Sequence, residues 1–151
     1  MTEKRVKSKT ILIVDDTPVN IELLSAMLSE EYVIRSATCG KEALEIARAT
    51  RPDIILLDIL MPEMNGYDVC KALKADVVTQ LIPVFFVSTL LNPGDDTRGF
   101  EVGGIDYLTK PVFGAVLRAR VKSHLAMQDA RHFDEGVLGE RSNNDWNDSH
   151  T

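Results

Sequence analysis

Three apolar runs mark the chain: Thr10-Ile11-Leu12-Ile13-Val14, Ile54-Ile55-Leu56-Leu57, and residues 82–87 around Phe85 and Phe86. None alternates apolar with polar positions. Such runs suit strands buried on both faces, the kind found inside parallel sheets. Weaker strand signals lie at 32–38 and 105–109. Between the strands the apolar period changes. Ile21, Leu24, Met27 and Leu28 recur at helical spacing in a helix ending near Glu31, with Thr17 placed to cap it and Pro18 to open it. Gly40 reads as a turn before a helix over 41–50, which carries Ala43, Leu44, Ile46 and Ala47 on one side. Asn65-Gly66 reads as another turn, leading to a helix over 67–75. Asn92-Pro93-Gly94 introduces a weaker helix over 95–102, where the interior Gly99 costs roughly 1 kcal/mol against Ala. Gly103-Gly104 breaks it, and a last helix from Phe113 carries Leu117, Val121 and Leu125.

Strands that alternate with helices predict an α/β fold. The expectation is a single doubly wound, five-stranded parallel sheet with helices on both faces, of flavodoxin-like form. At 151 residues the chain is expected to be one domain over 10–127, after a basic extension at 1–9. A helix extension and a flexible polar tail are expected over 128–151, where Asn, Asp and Ser gather around Trp146.

Composition narrows the classes. Hydrophobic residues are 44% and charged ones 26%, as in globular proteins. A net charge of −6 argues against binding to nucleic acid or an anionic membrane surface. No apolar stretch approaches the ~20 residues of a membrane span. No apolar signal core follows the basic start, so a cytoplasmic address is expected. Cys39 and Cys70 lack metal or redox spacing and are expected as free thiols. His124 and His132 have no third ligand spaced for a metal, and Gly40-Lys41 is not a phosphate loop because Glu42 stands where Ser or Thr is needed.

The candidate chemistry lies where the strands end. Asp15-Asp16 follow the first, Asp58 the third, Ser88 the fourth and Lys110 the fifth. In a doubly wound sheet those ends share one edge, where ligands bind. Carboxylates gathered there repel one another unless a cation joins them. Hard oxygen ligands suit Mg²⁺, and a lysine and a hydroxyl alongside can hold phosphoryl oxygens. The residues thus point to Mg²⁺-dependent transfer of a phosphoryl group onto an aspartate.

Taken in order, Ile-Leu-Ile-Val-Asp15-Asp16, Asp58-Ile-Leu-Met61-Pro62 with Asn65-Gly66, Val-Ser88-Thr89, and Gly104-Ile-Asp106-Tyr107-Leu-Thr-Lys110-Pro111 resemble the receiver domain of two-component response regulators. The resemblance implies that Asp58 is the phosphoacceptor, supplied by a sensor histidine kinase or a phosphotransfer protein. It implies that Asp16 binds Mg²⁺ directly and Asp15 through water, with Asp58 and the backbone carbonyl of Leu60 completing the protein's share. Ser88 and Lys110 then bind the phosphoryl group, Tyr107 is the rotating aromatic switch, and Lys110-Pro111 is a cis peptide. A homodimer through the fourth helix, fifth strand and fifth helix is a further expectation. The last helix also resembles receivers that precede cyclic-di-nucleotide enzymes or sit within hybrid kinases, so a module detached from such an effector is the alternative output.

Two departures from the family pattern matter. Thr89 stands where a smaller residue is usual and is expected to narrow access for phosphate. Leu60 and Leu90, two places after Asp58 and Ser88, are apolar where relatives can place a polar group near the attacking water, so self-dephosphorylation is expected to be slow. Other function classes fit worse. A phosphatase of the haloacid-dehalogenase type needs a second Asp where Leu60 stands. A flavodoxin-like electron carrier needs a phosphate loop where the acidic Asp15-Asp16-Thr17-Pro18 stands.

Overall fold

The computed structural model describes residues 8–89 and 95–140. The basic start, the Asn92-Pro93-Gly94 loop and the polar tail lie largely outside them. The elements alternate as the apolar runs predict: β1 (Thr10–Val14), α1 (Pro18–Leu28), β2 (Val33–Ala37), α2 (Gly40–Thr50), β3 (Ile54–Leu57), α3 (Gly66–Ala75), β4 (Val84–Ser88), α4 (Asp95–Glu101), β5 (Asp106–Thr109) and α5 (Gly114–Glu140).

All strand pairs are parallel, in the order β2-β1-β3-β4-β5. Central β1, β3 and β4 are buried on both faces, which is why their sequences show no alternation. Leu12, Val14, Ile55, Leu57, Val84 and Phe86 share one core with Ala43 and Ala47 of α2 and Val69, Cys70 and Leu73 of α3. Strand alternation turns Ile11, Ile13, Ile54, Leu56, Phe85 and Val87, all buried, to the opposite face.

The chain divides into two compact units, one ending at Arg118 and the other starting at Ala119. The first holds the sheet and α1 to α4. The second begins as the continuing helix of α5, which runs to Glu140. No described helix is long and apolar enough to cross a membrane.

Three local expectations need correction. Helix α1 stops at Leu28, short of Glu31, and a turn follows in which the N–H groups of Glu31 and Tyr32 both donate to the Leu28 carbonyl. Gly40 is the first residue of α2 rather than a turn. Met64 fills the space beside it, and a Cβ there would meet its sulfur at 2.6 Å. Thr17 does hold the N-cap position with Pro18 behind it, yet its side chain accepts no capping bond.

Candidate functional site

The hydrogen-bond ladder of the sheet carries on past the strands, and this fixes the site. Asp15 N–H donates to the Ala37 carbonyl at 3.1 Å, Asp58 N–H to Val14 at 2.9 Å, and Lys110 N–H to Ser88 at 3.0 Å. Each of these residues is the first beyond its strand, still tied to the neighbouring strand. Asp15, Asp16 and Asp58 bring one carboxylate oxygen each within 4.8 Å of the others. Asp15, Asp58 and Ser88 are buried, while Asp16 is exposed.

Lys110 Nζ lies 2.9 Å from Asp15 Oδ2 and 3.8 Å from Asp58 Oδ2. Ser88 Oγ donates to Asp58 Oδ1 at 3.0 Å. The backbone N–H of Thr17 donates to Asp15 Oδ1 at 2.9 Å, so this turn serves the acid instead of its own helix. Asn20 Nδ2 reaches the same oxygen at 3.4 Å. The Lys110-Pro111 peptide is cis.

Burial pushes the Asp58 carboxyl above the ordinary carboxylate range, and the charge of Asp15 pushes it further. Lys110, the Ser88 hydroxyl and the backbone of Ile59 pull it back without cancelling the rise. Asp58 is thus a desolvated carboxylate beside another, balanced by one lysine. A small hard divalent cation matches this donor set, since it takes carboxylate oxygens while keeping waters and phosphate oxygens in its shell.

The loop after β3, which the Asn65-Gly66 pair predicts as a turn, also caps a helix. Asn65 caps α3, accepting from Asp68 N–H at 2.9 Å, while the Asp68 carboxylate accepts from Asn65 N–H at 3.2 Å. This reciprocal box starts the helix against Asp58. A Cβ on Gly66 would sit 2.3 Å from the Asp58 carbonyl oxygen and 2.8 Å from Ile59 Cα. Only glycine allows that approach. The Asx-Gly pair carried the signal, but the box becomes visible only once Asp68 is known to fall at N3.

Tyr107 is partly buried, with its hydroxyl enclosed. Its ring lies 6.5 Å from Phe86. Beside the site a groove of about 430 Å³ is lined by Leu23, Leu24 and Met27 of α1 together with Thr89, Lys110 and Pro111. Thr89 is exposed on its rim. Leu90 lies outside the described residues.

Residues 11–122 match the model of the response regulator receiver domain. The chain belongs to that family. This receiver is 46% identical over 125 residues to a probable cyclic di-GMP phosphodiesterase of Vibrio cholerae serotype O1, covering 83% of the chain and only 28% of that protein. It is 38% identical over 117 residues to Protein PilH of Pseudomonas aeruginosa, covering 77% of the chain and 97% of PilH. It is also similar to the solved receiver domain of a signal transduction histidine kinase from Syntrophus aciditrophicus, at 40% identity and a TM-score of 0.73, covering 79% and 91% of the two chains. The chain therefore spans little more than a quarter of one relative and nearly all of another. Its family is a signalling one, and the phosphatase and electron-carrier readings fall away.

Proposed function

We propose that this receiver takes a phosphoryl group onto Asp58 from a phosphohistidine of a sensor kinase or phosphotransfer protein. A carboxylate oxygen of Asp58 forms the new P–O bond as the P–N bond breaks, and the imidazole leaves with the electron pair and takes up a proton. Asp16, Asp15, Asp58 and the Leu60 carbonyl would hold Mg²⁺, which when bound neutralises charge on the transferring group. Lys110 then turns from the carboxylates to the phosphoryl oxygens, and Ser88 donates to one of them. The arrangement of Asp58 carries this reading: a buried carboxylate bonded to a hydroxyl and set beside one lysine and two acids.

Phosphorylation adds about 1.5–2 negative charges and three acceptor oxygens at Asp58. They strengthen the hold on Ser88, and Tyr107 occupies the space this leaves. The signal is a shift between two packings. The groove between α1 and Pro111 suits the histidine-bearing partner, because it opens beside Lys110 and is lined by Leu23 and Met27. The exposed Phe100 and Ile105 suit a partner surface that includes α4 and β5, with a second copy as one candidate. The receiver is proposed to act in the cytoplasm, over residues 10–127. Its output is either protein contact or control of a cyclic-di-nucleotide enzyme. The Vibrio cholerae relative favours the second.

Incubation with acetyl phosphate and Mg²⁺, read by intact mass, tests the site. The wild type gains one phosphoryl group and Asp58→Asn gains none; equal labelling of the two proteins refutes the assignment. With Leu60 half exposed and apolar beside Asp58, the phosphorylated protein is expected to persist well beyond seconds.

A further inference from the structure

Tyr67 directly follows Gly66, whose backbone already abuts the Asp58 carbonyl. The Tyr67 ring is buried and lies 5.4 Å from Phe86, tilted by 52°. Phe86 in turn packs near Tyr107. Three rings thus form a ladder from the phosphoacceptor loop to the switch tyrosine.

Helix α4 rests on this ladder through two consecutive residues. Arg98 Cζ lies 4.4 Å from the centroid of the Tyr67 ring. That is within the range where the ring's quadrupole attracts a guanidinium. Gly99 brings the backbone down onto the other two rungs. A Cβ there would come 3.0 Å from Phe86 Cδ2 and 3.6 Å from Tyr107 Cδ2. With seven residues and an interior glycine, α4 is too short and too weak to set its own position. Its place depends on what lies beneath it.

We infer that Arg98 is a positioning residue of the switch. Its guanidinium on Tyr67 holds α4 over the aromatic ladder and favours the arrangement with Tyr107 packed inward and Ser88 bonded to Asp58. The coupling follows from the shared helix. A Tyr107 ring that swings out loses its packing under Gly99, and an α4 that lifts loses the contact of Arg98 with Tyr67. A contact made in only one of two packings shifts the population toward that packing. This rests on the roles proposed above for Asp58 and Tyr107, but Arg98 acts whether or not the acceptor is loaded.

The test uses the full chain carrying fluorotyrosine. Its three tyrosines give separate fluorine signals, and Tyr107→Phe assigns the one that matters. The Tyr107 inward-to-outward ratio is read in unphosphorylated wild type, Arg98→Met and Arg98→Lys. Arg98 is exposed, so these variants leave the core intact. Arg98→Met keeps an apolar stem without the charge. It is expected to lower the ratio about two- to fivefold, which corresponds to ~0.5–1 kcal/mol. Arg98→Lys is expected to restore most of it. An unchanged ratio in Arg98→Met overturns the inference, and so does a loss in Arg98→Lys as large as in Arg98→Met. Labelling by acetyl phosphate is followed in parallel. Missing label in the wild type counts against the role of Asp58 alone, because the Tyr107 ratio is measured without it.

Discussion

Two lysines mark the two edges of the sheet. At the amino edge, Lys74 donates to the carbonyls of Gln80 at 3.1 Å and Ile82 at 2.7 Å. Around it, Thr79 Oγ1 donates to the Leu73 carbonyl at 2.7 Å, and Cys70 Sγ to Val102 at 3.4 Å. Asp53 Oδ2 accepts from Thr10 N–H at 2.7 Å. At that edge these polar side chains face backbone. At the carboxyl edge, Lys110 instead faces two carboxylates, and Asp58 and Asp15 face each other. The residue types are much the same, but the partners differ. Backbone partners are fixed and complete, so they hold the fold in one state. Carboxylate partners leave unbalanced charge, which an incoming cation and phosphoryl group can resolve.

Glycines at the two edges give the sharpest way to break this contrast. Gly66→Ala pushes a methyl into the Asp58 carbonyl, and backbone cannot yield as a side chain can. It is expected to cost about 3 kcal/mol of stability and to slow labelling by acetyl phosphate about a hundredfold, since displacements near 1 Å have that effect. Gly103→Ala, at φ +108°, meets the side chain of Lys74, 2.9 Å from Cγ, rather than backbone. It is expected to cost about 1–2 kcal/mol for the left-handed backbone and to leave labelling unchanged. Chemical denaturation and labelling rates check both. Slow labelling in Gly103→Ala would mean that the amino edge also takes part in the chemistry.

The lysines come next. Lys110→Met leaves Asp15 and Asp58 buried with no cation between them and is expected to cost about 2 kcal/mol without added metal. Mg²⁺ should then raise the melting temperature of this variant more than that of wild type. Lys74→Met loses two bonds to carbonyls but also removes a buried ammonium, so a change under about 1 kcal/mol is expected, with no Mg²⁺ effect. Calorimetry with and without Mg²⁺ separates the two cases. A Mg²⁺ response equal to wild type in Lys110→Met would contradict the opposed edges.

This contrast also explains how far the sequence could be read. Strands buried on both faces leave unbroken apolar runs, so β1, β3 and β4 were plain, and the residue closing each run marked the carboxyl edge. Asp15, Asp58, Ser88 and Lys110 were legible because Ser88 closes its own strand and the others directly follow theirs. The amino-edge network has no such marker, because Cys70 meets Val102 and Lys74 meets Ile82 only after the chain folds. The same holds for Arg98 on Tyr67, and for Gly66, whose need for close approach depends on where Asp58's carbonyl lies. Thr17 does stand at the N-cap as its sequence position predicts, but its side chain accepts no capping bond. Its backbone N–H, which the sequence pattern does not single out, donates to Asp15.

The smallest expected effect lies in alkali, where two groups of the amino edge respond. Burial pushes the Cys70 thiol up to about 11, although the charge of Lys74 lowers it somewhat. A raised folded pKa stabilises below the unfolded value of roughly 8.5, and this contribution is lost as pH climbs toward the folded one. Burial lowers the Lys74 ammonium, partly offset by Cys70, so its charged form opposes folding. That penalty fades as pH rises through the lowered pKa toward the unfolded value of about 10.4. The two groups therefore push in opposite directions, and wild-type stability should fall less between roughly pH 8.5 and 10 than the Cys70 thiol alone would require. Cys70→Ala removes the falling component and leaves the rising one. Its urea midpoint, lower than wild type at neutral pH because a buried side chain is lost, should close part of that gap as pH rises. A Cys70→Ala midpoint that itself stays flat as pH rises would mean that Lys74 keeps its ordinary pKa. The backbone bonds at this edge would then offset the burial of its charge, and the amino edge would be more completely balanced than the contrast with Asp58 requires.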